Sequence, residues 1–421
     1  MGQRVLFYAP IDFLRKESNV NRFRLHFKAS GKRCGFSVVA MLVWSAFLAG
    51  SMGASSASAD VSISSPAKFE DDFSGALASD HERLFVAVTG QSRSNGVQTQ
   101  VFIRAGDAWR MASPRFPSTN LSATDMLLLK LPGKRRTTPC VSYTTRKSLG
   151  QIRCRQGNKW RFLSMARPLR QMNFIEATSV GGRLKVLFSD FSALSAKPIT
   201  TTIAIGTLKG RRVVQSSAPG TFKGHYFMAL GLRTSNARTD LTDVVLADLE
   251  RRRFVVTLGR GGWHRSKSFP NFAPGYPGSQ FAPVRTRERL LVPVHTIDFD
   301  APWTFSIYGR RTNGGWTELG SKPLNVGTGN PQGAIGAVGN RVWAVWEEYG
   351  KEGTDEPTDI YAAQVNKAGS DIERTIPLWS GDSDLPGMYD AVKYEGEPVF
   401  LYSRTFGENQ HSFATVNLSH E

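Results

Sequence analysis

The sequence predicts an all-β chain folded as a β-propeller of seven four-stranded blades, with six blades as the alternative. Three observations lead there. Short runs of alternating apolar and polar residues, bounded by Gly, Asn and Asp, recur along the chain, and almost no window carries a helical period. Gly106, Gly157, Gly210, Gly262, Gly315 and Gly369 each follow such a run, at spacings of 51, 53, 52, 53 and 54 residues. A period near 50 with about four short strands per unit is the mark of a propeller, in which each blade covers the faces of its neighbours. Finally, the run from 413 ends at Leu418 with only three residues left, too few for another strand.

The elements follow in order. The runs that end in the Gly turns, "QVFIR" from 100, "GQIRC" from 150, "TIAIG" from 202, "FVVTL" from 254, "FSIYG" from 305 and "IYAAQV" from 360, read as third strands, and "FATVNL" from 413 as a seventh. Second strands precede them at "RLFVAVTG" from 83, "LKVLFSD" from 184, "RLLVPVH" from 289, "RVWAVWEE" from 341 and "PVFLYSR" from 398. One period back from Gly106 lies the segment that opens with "DVSIS", so residues 60–68 are expected to supply the outer strand of the last blade and close the ring without an exposed edge.

Residues 1–59 read as an export signal and residues 60–421 as a single propeller domain. A basic stretch, "FRLHFKASGKR", precedes the apolar run "GFSVVAMLVWSAFLAG" and a small-residue end at Ala57-Ser58-Ala59, with cleavage expected before Asp60. An uncleaved signal anchor is the alternative and the one route to a membrane. A secreted or cell-envelope monomer is expected. Cys34 falls in the leader, leaving Cys140 and Cys154 on adjacent strands, placed to form a hairpin disulfide in an oxidising compartment.

The residues around the turns resemble a known family. Gly106-Asp107-Ala108-Trp109 and Gly157-Asn158-Lys159-Trp160 look like the second half of the Asp box, Ser-x-Asp-x-Gly-x-Thr-Trp, of sialidase-like propellers. Phe102 and Arg104, and again Arg153 and Arg155, stand where its Ser and Asp would be. "VWAVWEEYGKEGTDEPTDIYAAQVNKAG" is similar to a repeat of the same family. The resemblance implies a fold, and implies that Trp160 holds a hairpin. A sialidase would also need three arginines, a tyrosine nucleophile with its carboxylate and an acidic acid/base residue. The Phe-Arg-Ile-Pro signature is absent, and the family's usual six blades differ from the count of seven here.

Charge is distributed unevenly. The chain carries 53 Lys/Arg and 35 Asp/Glu, a net of +18, of which +12 remains beyond the leader. Between Met126 and Ile175 there are twelve basic residues and no acid, including Lys134, Arg135, Arg136, Arg146, Lys147, Arg153, Arg155, Lys159 and Arg161. Such a stretch attracts acidic glycans or phosphate-rich polymers, and competes with the plainer reading of a solvated basic face. Aromatic interleaving is sparse and the chain is exported, so nucleic acid is not an expected partner.

A second candidate site combines carboxylates and aromatics. Tyr276, Asp298, Asp300, Trp303, Glu347, Glu348, Tyr349 and Arg404 fall in segments assigned to second-to-third-strand connections and one blade-to-blade connection. Aromatic faces stack on sugar rings while carboxylates bind hydroxyls. The plainer alternative is ordinary polar loops. No metal-ligand spacing, phosphate loop or Gly-x-Ser-x-Gly elbow is present, so no cofactor or metal is expected. The leading expectation is a non-catalytic binder of a glycan or anionic polymer. A divergent sialidase-like hydrolase and a protein-interaction propeller are the alternatives.

Overall fold

The computed structural model describes residues 61–64, 68–69, 71–80, 82–92, 96–106, 108–119, 124–145, 149–190, 200–223, 228–233, 241–247, 253–266, 283–286, 289–298, 301–311, 315–323, 333–338, 341–348, 358–365, 372–381, 388–405 and 411–418. Among these residues the strands pair into seven sheets, antiparallel except where Ser164–Met165 runs parallel to Arg212–Gln215 in the third, taken here in chain order from the inner strand outward. The first is Asp71–Ser79, Leu84–Ser92, Gly96–Ala105 and Ala108–Met111, with Phe116–Pro117 also on its third strand. The second is Asp125–Leu129, Thr138–Thr144, Gly150–Gln156 and Lys159–Phe162. The third is Asn173–Val180, Arg183–Asp190, Thr200–Lys209 and Arg212–Gln215. The fourth is Met228–Arg233, Thr242–Ala247, Arg253–Gly259 and Gly262–Arg265. The fifth is Val284–Arg285, Arg289–Asp298, Ala301–Arg311 and Trp316–Pro323. The sixth is Gly333–Val338, Arg341–Glu348, Thr358–Val365 and Ile372–Gly381. The seventh is Met388–Tyr394, Glu397–Thr405 and His411–Leu418, completed by Val61–Ser64 from the other end of the chain.

That last pairing runs antiparallel from Val61 opposite Leu418 to Ser64 opposite Thr415, where the repeat count places it. Lys68–Phe69 continues along the same strand against Ser412 and His411. Among the described residues no helix is long and apolar enough to cross a membrane.

Alternation gives every sheet two apolar faces, and both are used. Ala87, Val101 and Phe116 of the first sheet pack on Leu128, Val141 and Tyr143 of the second. Cys140, Ile152 and Cys154 of the second face Ala177, Val186 and Phe188 of the third. Ile203 and Ile205 of the third meet Val244 and Val256 of the fourth, and Val245 and Val255 of the fourth meet Leu290 and Val292 of the fifth. Leu291 and Ile307 of the fifth pack on Ala344 and Trp346 of the sixth. Trp343 of the sixth meets Phe400 of the seventh edge to face, with ring centroids 5.8 Å apart. Val399 and Leu401 of the seventh close on Leu84 and Val86 of the first.

Cys140 and Cys154 are directly opposite on neighbouring strands, fully buried and joined by the expected disulfide. It closes a loop with a sequence separation of 14, a size for which cross-linking stabilises by about 3 kcal/mol through lost unfolded-state entropy. Replacing both cysteines with Ala is expected to lower the unfolding free energy by about that amount in a denaturant titration. A change below about 1 kcal/mol would refute the assignment.

Polar side chains on the inner strands tie one sheet to the next. Asp390 of the seventh sheet accepts the Leu77 N–H of the first at 2.8 Å, and Asp125 of the second accepts the Ala177 N–H of the third at 2.8 Å. Ser74 Oγ accepts the Thr124 N–H at 3.0 Å, and Ser179 Oγ the Leu128 N–H at 3.2 Å. Inner-strand N–H groups have no ladder partner on the axial side, and these side chains satisfy them. The inner strands surround a cavity of about 550 Å³ bordered by Asp80, Asp125, Glu176, Asp390 and Lys393.

Candidate functional site

The basic residues of the second sheet are sorted by strand alternation. Lys134, Arg135 and Arg136 lie in the connection between its first and second strands, where Gly133 at φ 73° turns the chain and Lys134 N–H donates to Leu131 O at 3.1 Å. Arg155 precedes the Gly157-Asn158 turn between its third and fourth strands. In an antiparallel sheet these two connections leave at the same end. Lys134, Arg136 and Arg155 accordingly converge on a shallow cavity of about 340 Å³, with Arg83, Thr137 and Asn158 on its wall.

The other members of the basic set lie elsewhere. Lys159 and Arg161 are opposite Gln156 and Cys154, so they project from the other face of the sheet than Arg153 and Arg155. The Arg153 guanidinium lies between aromatic rings, 4.9 Å from the centroid of Phe116 and 3.8 Å from that of Phe162. Arg146 and Lys147 lie outside the described residues.

The cavity wall is held by ion pairs. Arg83 grips Asp80 through Nε and Nη2, with Nε 3.0 Å from Oδ2, and Nη2 also donates to Thr137 O at 3.1 Å. Burial alone would raise the Asp80 carboxyl, but the hydrogen bonds from Arg83, the Glu82 N–H and Thr137, with the Arg83 charge, hold it below the ordinary carboxylate value. Arg136 reaches Glu82 at 2.9 Å in a largely exposed pair that contributes little stability and yields readily to a competing anion.

The Gly turns keep their shape with inverted charge. Gly106 and Gly157 both sit at φ 62°, the left-handed region that a tight hairpin turn needs. Arg104 Nε donates to Gly106 O at 3.1 Å and Arg155 Nε to Gly157 O at 3.2 Å, so an arginine at the Asp-box aspartate position braces the turn by donating. Trp160 Nε1 donates to Ala112 O at 3.0 Å and Trp263 Nε1 to Ala218 O at 3.1 Å, both in the preceding repeat. Trp109, Trp160, Trp263 and Trp316 all pack against the core shared with the preceding sheet. These tryptophans therefore join each sheet to the one before it. In the fourth sheet Gly259 is paired with Gly262, so the turn is Arg260-Gly261 and Gly262 matches Ala108 and Lys159, two places later than the repeat count assigned it.

The carboxylate and aromatic set is placed by topology. Asp298 ends the second strand of the fifth sheet opposite Ala301, and Trp303 lies near the start of its third strand. Glu347 and Glu348 end the second strand of the sixth sheet, opposite Ile360 and Asp359. Arg404 is opposite Ser412 in the seventh. These positions share the second-to-third-strand end of three consecutive sheets, whereas the basic cavity belongs to the other kind of connection. Tyr276, Asp300 and Tyr349 lie outside the described residues.

A tyrosine–carboxylate pair does occur, in the fifth sheet. Tyr308 donates to Glu318 Oε2 at 3.0 Å, and Ser306 donates to Oε1 at 2.8 Å. Burial, then the hydrogen bond and charge of Glu318, push the Tyr308 hydroxyl far above its ordinary value. The pair lies on the two outer strands of the fifth sheet.

No protein-family model matches the chain, and no curated protein matches it. Solved structures do. An ulvan lyase, a polysaccharide lyase, aligns over 84% of this chain and 94% of its own, at 10% identity and a TM-score of 0.51. The chain is a β-propeller. The propeller also aligns with a Trypanosoma rangeli sialidase in complex with sialic acid over 83% of its length, at 14% identity and a TM-score of 0.41, spanning only 54% of the sialidase. A six-bladed fungal lectin from Aleuria aurantia covers 75% of it, and is itself 98% covered, at 13% identity and a TM-score of 0.42. The likeness to sialidase-like propellers is one of fold.

Proposed function

We propose that the chain is an exported, monomeric, seven-bladed propeller that binds a glycan or other anionic polymer on the face carrying the first-to-second-strand connections, without turning it over. The observation that carries this reading is the cavity lined by Lys134, Arg136 and Arg155, which come from a fifty-residue stretch that contains no acid, together with Arg83 from the first sheet's side. Converging cations with low-dielectric walls concentrate field and capture polyanions. Seven sheets packed in cyclic order support the blade count. The buried disulfide suits an oxidising compartment, in keeping with export. A polysaccharide is also what the ulvan lyase is named for acting on, and that protein shares the fold alone.

The test is retention on a sulfated-glycan column such as heparin. The Lys134→Ala, Arg136→Ala, Arg155→Ala triple variant is expected to elute at clearly lower salt than the parent, because exposed charge interactions are screened within about 8–10 Å at physiological ionic strength. Unchanged retention of the folded triple variant would overturn the reading.

A further inference from the structure

We infer that the polymer is an acidic polysaccharide, one of whose sugar rings stacks on Phe162 while its charged groups lie on Arg155, Lys134 and Arg136; this rests on the proposed polyanion-binding function. Phe162 is 53% exposed, on the outermost strand of the second sheet, while Trp160 two residues before it is partly buried in the core. Its ring is held from behind. The Arg153 guanidinium lies 3.8 Å from the Phe162 centroid and 4.9 Å from that of Phe116, which in turn stacks on buried Tyr143 with centroids 5.5 Å apart and planes 7° from parallel. The Arg153 side chain also hydrogen-bonds the buried Tyr143, which fixes the guanidinium against the Phe162 ring, while its Nε is buried without a hydrogen-bond partner.

Register places the platform beside the cations. Arg153 is opposite Phe162 and Arg155 opposite Trp160, so Phe162, Arg153 and Arg155 share one face of the outer hairpin. Two residues along a strand span roughly 7 Å, a separation that a polymer lying along the hairpin bridges easily. Lys159 and Arg161 point to the other face and take no part. A flat, rigid, exposed aromatic next to a basic cavity fits a ligand that offers both an apolar ring face and negative charge. A polyphosphate offers only the charge.

The experiment measures affinity of the full exported protein for oligogalacturonate and for inorganic polyphosphate. Phe162→Ala is expected to weaken oligogalacturonate binding by roughly three- to tenfold, the range of an aromatic contact, and to leave polyphosphate binding unchanged. Phe162→Trp should retain binding, whereas Phe162→Leu, apolar without a flat face, should lose it as Ala does. Lys134→Ala with Arg155→Ala should weaken both ligands. If Phe162→Ala changes neither ligand, or both alike, while the double variant weakens both, the stacking inference falls and the polyanion reading stands. If the double variant weakens neither ligand, the polyanion reading itself fails.

Discussion

Replacing Arg285 with Ala is expected to cost about 3–5 kcal/mol of unfolding free energy, the range found when one member of a buried ion pair is removed. Arg285, on the short inner strand of the fifth sheet, grips Asp243 on the second strand of the fourth, with Nε 2.7 Å from Oδ2 and Nη2 2.6 Å from Oδ1. Thr257 adds a third bond to the same carboxylate at 2.6 Å. Asp243 is 1% exposed, so deleting its partner leaves a charge that water cannot reach. A double variant, Asp243→Leu with Arg285→Met, should recover much of the loss, because replacing both ions with apolar groups of similar size removes the desolvation cost as well. Denaturant unfolding of the two variants measures both effects. A loss under 1 kcal/mol for Arg285→Ala would mean that the fourth and fifth sheets are held by apolar packing alone.

Deleting residues 60–64 is expected to drive the protein into higher association states than the parent and to lower its stability by a few kcal/mol. Val61–Ser64 occupies four register positions along His411–Leu418, and each ladder hydrogen bond contributes about 0.5–1.5 kcal/mol net. The larger consequence is kinetic and associative. Without that strand the third strand of the seventh sheet presents unpaired N–H and C=O groups, a template for pairing with another chain. Light scattering should show the association, and a synthetic peptide of residues 60–70 added in excess should reverse it by refilling the edge. A truncated protein that keeps the parent's association state and stability would show that Lys68–Phe69, which lies farther along the same strand, protects the edge unaided.

Much of the fold was legible because its determinants are local. The third strands announce themselves by alternation followed by a Gly turn, and the missing strand of the last repeat follows from counting to Leu418. The inner strands were less visible. That of the fifth sheet is only Val284–Arg285, too short to show a period. The turn of the fourth repeat was misplaced because "GRGGW" holds three glycines, and only the pairing of Gly259 with Gly262 selects the register. Asp125 and Asp390 were passed over as site or structural residues. Each opens an apolar run, "DMLLL" and "DAVKY", but their partners Ala177 and Leu77 are distant in sequence. No local pattern marks a hydrogen bond made across a sheet interface.

The candidate site divides in the same way. Sequence by itself determined that the stretch from Met126 to Ile175 is basic and acid-free, that Cys140 and Cys154 are placed to pair, and that Trp160 belongs to a structural turn, since charge, spacing and turn chemistry are properties of the chain. Only the tertiary structure decided which cations act together. Pleating sends Arg155 and Lys159 to opposite faces although they are four residues apart, Arg153 is enclosed by Phe116 and Phe162, and Lys134 and Arg155 line one cavity because two connections leave the sheet at one end. Side-chain direction along a strand reverses at each residue, and the neighbours of each face are supplied by a different sheet, so proximity on the surface follows from packing rather than from order along the chain.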